Sequence, residues 1–374
     1  MHVGMVAKSD IDQALDLATE LEREGVQITL YLSLPHLIRE LETSENPIEK
    51  LYELELIPRT IRVRLFDLPR MRDPRSLPAV YRIYQEMLKD GLDVVHVLSG
   101  PHELWLAILA LLIRGLPVVS TMIVPVQNVG EFPSQRIVWW INKILAMGSK
   151  IIIVNGENQV EQAHRLYRLP YERIVHVRLG ARRTTMKFRR HQVEEQDGTI
   201  LFFGRLAAFK GLKYLISAQP AVSQKFPEAR FLIVGHDEDM PAYFANVEDM
   251  DRFEIHEEYV TGDMAAAFFD RSSLVVLPYL SASTSGVLLM AHCFKKPVVA
   301  TRVGCLPEYV EDGRTGILVD PQNVEQLAEA IGKMLEDGNR RRAMGQAGYD
   351  SVMAREGEIV QKTLAVYNRV TGKS

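Results

Sequence analysis

A chain of 374 residues exceeds one ordinary hydrophobic core, and at roughly 150 residues per domain it is expected to fold as two. With 47% hydrophobic and 25% charged residues it is a packed protein rather than a disordered one, and a net charge of −4 with a pI near 6.2 speaks against the broad basic face of a nucleic-acid binder. Two cysteines, Cys293 and Cys305, are too few for a disulfide framework and lack metal-ligand spacing, which excludes a zinc module and fits a reducing, cytoplasmic setting.

The start, MHVGMVAKSDID, has neither the basic opening nor the apolar run of a signal peptide. From there short β-branched runs alternate with helical spacing. Strands are expected at His2–Val6, Val26–Leu32, Ile61–Leu65, Val94–Leu98, Val118–Thr121 and Ile151–Val154, and helices at Ile11–Glu24, Pro78–Lys89, Glu103–Ile113, Pro133–Met147 and Asn158–Leu166. That alternation is the mark of a parallel sheet with crossover helices. The longest apolar run, LWLAILALLI from Leu104 to Ile113, is about half of the ~20 residues that span a bilayer and reads as a buried helix. His102 and Glu103 open that helix after the strand DVVHVLSG, at the edge where α/β sheets bind ligands, so they are candidates for acceptor or sugar contacts; plain capping gives the same letters. His96, inside an apolar strand, reads as a core histidine. Arginines 59, 62, 64, 70, 72 and 75 punctuate a proline-broken stretch, and QRIVWWINKILAMGSK joins Trp139 and Trp140 to Arg136, Lys143 and Lys150. Peripheral contact with anionic lipid fits this pattern, as does a core-packed helix with a solvated face.

The polar stretch FRRHQVEEQDG, Phe188 to Gly198, interrupts the pattern and reads as an exposed connection. Strand-like runs then resume: TILFFGR, ARFLIVG, DRFEIHE, SLVVLPY, KPVVATR and TGILVD. The division expected is a first domain over 1–187, a linker at 188–198, a second domain over 199–355 and a last helix over 356–374, placed to cross back onto the first domain. The tail reads as three helical segments, VEQLAEAIGKMLED, NRRRAMGQAGYDSVMA and EIVQKTLAVYNRV. In FGRLAAFKGL a strand ends at Gly204, Arg205 follows at once, and Lys210 stands at the start of a helix. Two cations beside a helix N-terminus suit a diphosphate, although solvated surface charges would look alike. Further on, STSGV (Ser283 to Val287) opens another helix. The small residues Thr284, Ser285 and Gly286 let backbone N–H groups approach an anion, and a simple N-cap would carry the same letters.

GRLAAFKGLKYLI and VVLPYLSASTSGVLLMAHCFKKPVVATRVGCLPEYVEDGRTGILVDPQN, with the turns Gly304–Glu308 and Asp312–Gly316, resemble in order and spacing the donor half of the family 4 glycosyltransferases. The resemblance covers roughly Thr199 to Asp337. It implies the GT-B architecture, α/β with two Rossmann-like doubly wound domains facing across a cleft. It implies a nucleoside-diphosphate sugar donor, UDP- or GDP-linked, with no further cofactor and no metal. Arg205 and Lys210 become the catalytic pair, Gly204, Tyr259, Thr284, Ser285, Gly286 and Val287 the donor contacts, and His102, Glu103 and Glu131 the acceptor side.

The chain departs from the family at several of these places. Where many members carry two glutamates with seven residues between them, it has Ala282 and Met290. The first loop, VAKSDID, has none of the usual glycine, and TMIVPVQNVGEFP holds Ile123, Val124 and Asn128 where histidines and an aspartate are common, keeping Gly130 and Glu131. The expected activity is transfer of a sugar, with retention, to a glycan, lipid or small-molecule hydroxyl, the leaving diphosphate taking the acceptor's proton. The alternative is a catalytically inactive member of the same fold serving as a binding or partner subunit. A third, an epimerase or phosphorylase on the same scaffold, has no segment in its favour.

Overall fold

The computed structural model describes residues 1–43, 45–68, 73, 75–100, 103–125, 135–189, 193–236, 240–245, 247–258 and 260–372. These fall into two compact units, one of the described residues up to Gly180 together with those from Arg355 onward, the other of Ala181–Ala354.

In the first unit the chain runs β1 (His2–Ala7), α1 (Ile11–Arg23), β2 (Gln27–Ser33), α2 (Leu34–Leu41), α3 (Pro47–Glu53), β3 (Arg62–Phe66), α4 (Ser76–Lys89), β4 (Val94–Ser99), α5 (Leu104–Leu112), β5 (Val118–Met122), α6 (Gln135–Gly148), β6 (Ile151–Val154), α7 (Glu157–Tyr167) and β7 (Ile174–His176). All strands pair in parallel, in the order β3-β2-β1-β4-β5-β6-β7. Every residue of β1 is buried, because helices cover both faces of a parallel sheet and leave no polar side to alternate with. Three elements go beyond the sequence expectation. The strand β7 is only three residues long and pairs at the sheet edge, and α2 and α3 each take a proline in the first turn, where its missing N–H costs no bond. His96 is buried in β4 with both ring nitrogens bonded, Nδ1 to the Tyr367 hydroxyl at 2.7 Å and Nε2 to Thr121 Oγ1 at 2.8 Å. It is a satisfied core histidine, and burial lowers its pKa to about 3.

The second unit contains α8 (Arg183–Lys187), β8 (Thr199–Phe203), α9 (Leu212–Lys225), β9 (Arg230–Val234), α10 (Met240–Phe244), β10 (Phe253–His256), α11 (Gly262–Arg271), β11 (Leu274–Leu277), α12 (Gly286–Cys293), β12 (Val298–Thr301), α13 (Leu306–Tyr309), β13 (Gly316–Val319) and α14 (Val324–Glu336). Its sheet is parallel too, ordered β10-β9-β8-β11-β12-β13. The last helix, α15 (Gly338–Thr371), is continuous over 34 residues, where two separate segments were expected. Gly357 does not break it: a helix interior tolerates glycine for about 1 kcal/mol, and buried Val352, Ile359, Val360 and Tyr367 on either side outweigh that.

Each sheet grows outward from its first strand in one direction, then the chain returns to lay the next strand on that strand's other side. The order therefore reverses between β1 and β4 in the first sheet and between β8 and β11 in the second. In open α/β sheets the crevice outside the carboxyl ends of such a strand pair is where ligands bind.

Candidate functional site

At the β8/β11 reversal the backbone is shaped by glycines. Gly204 turns with φ +110° and its N–H bonds to the Val234 carbonyl at 2.9 Å. Gly235, at the end of β9, has φ +151°, and a Cβ there would overlap the Gly204 carbonyl oxygen, so the two strand ends press together as no other residue permits. Arg205 follows, exposed, and Leu206 turns inward with its N–H on the His236 carbonyl. The short turn at 208–210 is pinned to the end of β11 at two points. The Leu280 N–H bonds to the Phe209 carbonyl at 2.7 Å, and Gly211, at φ +72°, lies so close to the Pro278 carbonyl that a Cβ would overlap it. That pinning sets the Lys210 ammonium over the face of buried Tyr279, 3.9 Å from the ring centroid, where the negative quadrupole attracts it.

The opening of α12 meets the same place. Ser285 caps the helix, its hydroxyl accepting the Leu288 N–H at 3.3 Å, and Val287 Cγ2 stands 3.5 Å from where a Cβ on Gly204 would be. Thr284 is half-buried. Arg182, itself buried, lays its guanidinium beside Gly286, with Nη2 3.4 Å from the position of a Cβ on that glycine. An arginine, a lysine and a capped helix start with a further buried arginine behind it thus gather at one sheet edge, an arrangement able to hold the oxygens of a polyanion. The Ala282 carbonyl packs on Gly304, whose φ of +54° and lack of a side chain permit the approach. Met290 is half-buried.

The β1/β4 reversal carries a different group. Glu103 immediately precedes α5, makes no side-chain bond to cap it, and is buried; Ser9 donates its N–H to Oε1 at 3.2 Å and its hydroxyl to the same oxygen at 2.5 Å, and the Gly100 N–H donates to Oε2 at 3.2 Å. Burial is the main reason its pKa rises to about 7; the Ser9 hydroxyl, the Gly100 N–H and Lys8 oppose the rise, and Asp10 adds to it. Its carboxyl ties the loop after β1 to the loop after β4.

Of the residues singled out in the sequence, Gly204, Arg205, Lys210, Thr284, Ser285, Gly286 and Val287 all lie at the second sheet's reversal, and Glu103 lies at the first sheet's. His102, Glu131 and Tyr259 fall outside the described residues. Three partners were missed: Tyr279 under Lys210, Arg182 beside Gly286, and Ser9 on Glu103. No group of three or more His, Cys, Asp or Glu side chains is placed to hold a metal ion among the described residues.

Comparison with known proteins matches two family models to the chain, a glycosyl transferase 4-like domain over residues 12–180 and glycosyl transferases group 1 over residues 197–337. A D-inositol 3-phosphate glycosyltransferase of Pseudarthrobacter chlorophenolicus is 31% identical over 253 residues; the match takes in 62% of this chain and 60% of that protein's length. Among solved structures, a sucrose-phosphate synthase from Thermosynechococcus elongatus superposes with a TM-score of 0.76 at 16% identity, covering 100% of both chains. Anabaena HepE, crystallised in complex with UDP and glucose, superposes with a TM-score of 0.69 at 16% identity, over 99% of this chain and 100% of that one. At such identities the likeness speaks to the fold.

Proposed function

Because the chain belongs to the family 4-like glycosyltransferases of GT-B architecture, we propose that it transfers a sugar from a nucleoside-diphosphate sugar to a hydroxyl acceptor, a glycan, a lipid or a small molecule. The observation that carries the reading is the convergence at β8/β11, where the Gly204 turn touches Val287 at the start of α12 and Lys210 is fixed over Tyr279. Arg205, Lys210 and the N–H groups of α12 are its diphosphate cradle, with two side-chain cations in the place that a metal ion takes in metal-dependent transferases. The crystal complex of HepE with UDP and glucose makes a uridine nucleotide the first donor to try.

In the proposed reaction the bond from the anomeric carbon to the leaving phosphate oxygen breaks, and the acceptor oxygen bonds to that carbon on the same face, which retains configuration. The acceptor's proton passes to the departing diphosphate, so the products are the glycoside and the nucleoside diphosphate. The cations and helix N–H groups act where charge grows on the leaving oxygen, and positioning does the rest. Glu103 is proposed as an acceptor-side contact.

Calorimetric titration with UDP and with GDP tests the cradle. Wild type is expected to bind one of them, and Arg205→Ala combined with Lys210→Ala to lose at least about 100-fold in affinity, in line with ~1.5–3 kcal/mol for each charge-assisted contact. No binding by wild type, or binding untouched by the double substitution, sinks the assignment.

A second reading, a binding or partner subunit without catalysis, is favoured by Ala282 and Met290, whose side chains offer a sugar or ribose hydroxyl no acceptor and only a weak thioether acceptor in place of two carboxylates. Turnover of UDP-glucose or GDP-mannose by the isolated chain, above the rate in buffer, eliminates it.

A further inference from the structure

The carboxyl edge of the first sheet carries side chains that the diphosphate cradle does not use. β1 and β2 run in register with Ala7 beside Leu32, so Lys8 and Ser33 leave the sheet side by side. Ser33 is buried at the entrance to α2, where its side chain makes no capping bond to the helix. Its hydroxyl is instead hydrogen-bonded to Nδ1 of His36, in the first turn of that helix, at 2.9 Å. The bond fixes the imidazole and leaves Nε2, which has no hydrogen-bond partner among the described residues. Lys8 likewise makes no hydrogen bond or ion pair among them. Both side chains are half-buried, so they line the edge rather than trail into solvent.

The charges facing His36 are unbalanced. Burial is the main reason that its pKa is lowered; Lys8 and then Arg39, on α2, lower it further, and Asp67, on the loop after β3, opposes them by less than either. The carboxyls of the loops after β1 and β4, Asp10 and Glu103, each accept a bond from Ser9. An imidazole faced by two cations, at a helix start that Ser33 does not cap, sits in a positive potential that an anion relieves. An ammonium, an imidazole and helix N–H groups are separate point donors, which suit the three outer oxygens of a phosphate monoester; a planar carboxylate is matched better by the fork of an arginine. We infer that Lys8 and His36 form a subsite for a phosphate monoester, which, resting on the transferase reading, is carried by the acceptor.

Histidine resonances of the full chain, followed by NMR through a pH titration, test this, with His36 assigned by its loss in His36→Gln. Inorganic phosphate, added at constant ionic strength, should raise the pH at which His36 half-titrates by at least about 0.5, since a bound anion favours the imidazolium. Glucose 6-phosphate should do the same, and glucose should not. Lys8→Gln should raise the phosphate concentration needed for half of that effect by about fivefold or more, and Lys8→Arg, which keeps the charge, should restore it. The response should persist when Arg205→Ala and Lys210→Ala are combined, which takes phosphate bound at the donor cradle out of the measurement. Titration with UDP and GDP should be the same in Lys8→Gln as in wild type. A His36 response in a chain that binds neither nucleotide would support the subsite while the transferase reading failed. A half-titration that phosphate leaves unmoved, that sodium chloride moves as far, or whose response survives Lys8→Gln overturns the subsite. An equal response to glucuronate overturns its assignment to phosphate.

Discussion

At the β8/β11 edge of the second sheet the chain sets out cations over glycine turns, whereas at the β1/β4 edge of the first it buries a carboxylic acid between two loops. The two sheets share parallel pairing and the same reversal of strand order, so the difference lies entirely in what the loops carry. Glycine at 204, 211 and 235 lets backbone press on backbone at the end of the sheet where Arg205 and Lys210 stand. The loop after β1 has no glycine, and its Ser9 spends both its N–H and its hydroxyl on Glu103. One edge gathers cations; the other buries a carboxyl group.

The largest effect should come from separating these roles by charge. Lys210→Glu places a carboxylate where the diphosphate is proposed to lie, replacing attraction by repulsion next to the start of α12. Transfer, read as kcat/KM, should fall by ~10³-fold or more, since even removal of one stabilising donor costs about 10²–10³. Glu103→Gln should leave nucleotide affinity within about twofold of wild type. Equal losses of nucleotide affinity in the two variants would erase the distinction between the edges.

Next in size is Gly235→Ala. Its Cβ would overlap the Gly204 carbonyl oxygen, and φ of +151° is strained for any L side chain. Backbone strain of this kind costs about 1–3 kcal/mol, and the overlap adds to it, so denaturant unfolding should show a loss of ~3 kcal/mol with nucleotide affinity falling alongside. The same substitution at Gly25, where φ is +81° but no atom stands within 4 Å, should cost only the strain.

Glu103 gives the comparison a pH axis of comparable size. Its folded pKa of about 7 lies above the ordinary 4.5, so the unfolded chain gives up this proton first as pH rises. The group's contribution to stability is therefore greatest below pH 4.5, declines between 4.5 and about 7, and is level above that. At 1.36 kcal/mol per pH unit the decline is about 3 kcal/mol. Glu103→Gln should flatten that slope, measured by urea unfolding at pH 5 and pH 8, and a slope unchanged in the variant would show that the proton is held elsewhere.

Much of this was legible in the residues, and the boundary has physical causes. The strands could be placed because parallel strands covered on both sides read as unbroken apolar runs, and β7 escaped because three residues carry no period. Arg205 and Lys210 could be found together because one strand end and one turn hold both. Tyr279 could not, because it comes under Lys210 only through the packing of Gly211 on Pro278, a relation between segments 67 residues apart. Ser9 escaped for a related reason. A glycine-free loop reads as one that keeps its distance from a ligand, and nothing in its letters points to a carboxyl 94 positions away.

The smallest effect concerns that hidden tyrosine. If the ring of Tyr279 holds the Lys210 ammonium in place, Tyr279→Phe keeps the aromatic face and should leave nucleotide affinity near wild type, while Tyr279→Leu removes it and should weaken affinity about fivefold, the worth of ~1 kcal/mol for a partly shielded cation over a ring. Packing alone could give a loss of that size in the leucine variant, so the pair must be tested as a cycle with Lys210→Ala. A ring that acts through the lysine has nothing left to position once the lysine is gone, and Tyr279→Leu should then cost less than about twofold. A full fivefold loss in the Lys210→Ala background would mean that the tyrosine supports the end of β11 and the helix beyond it rather than the cation.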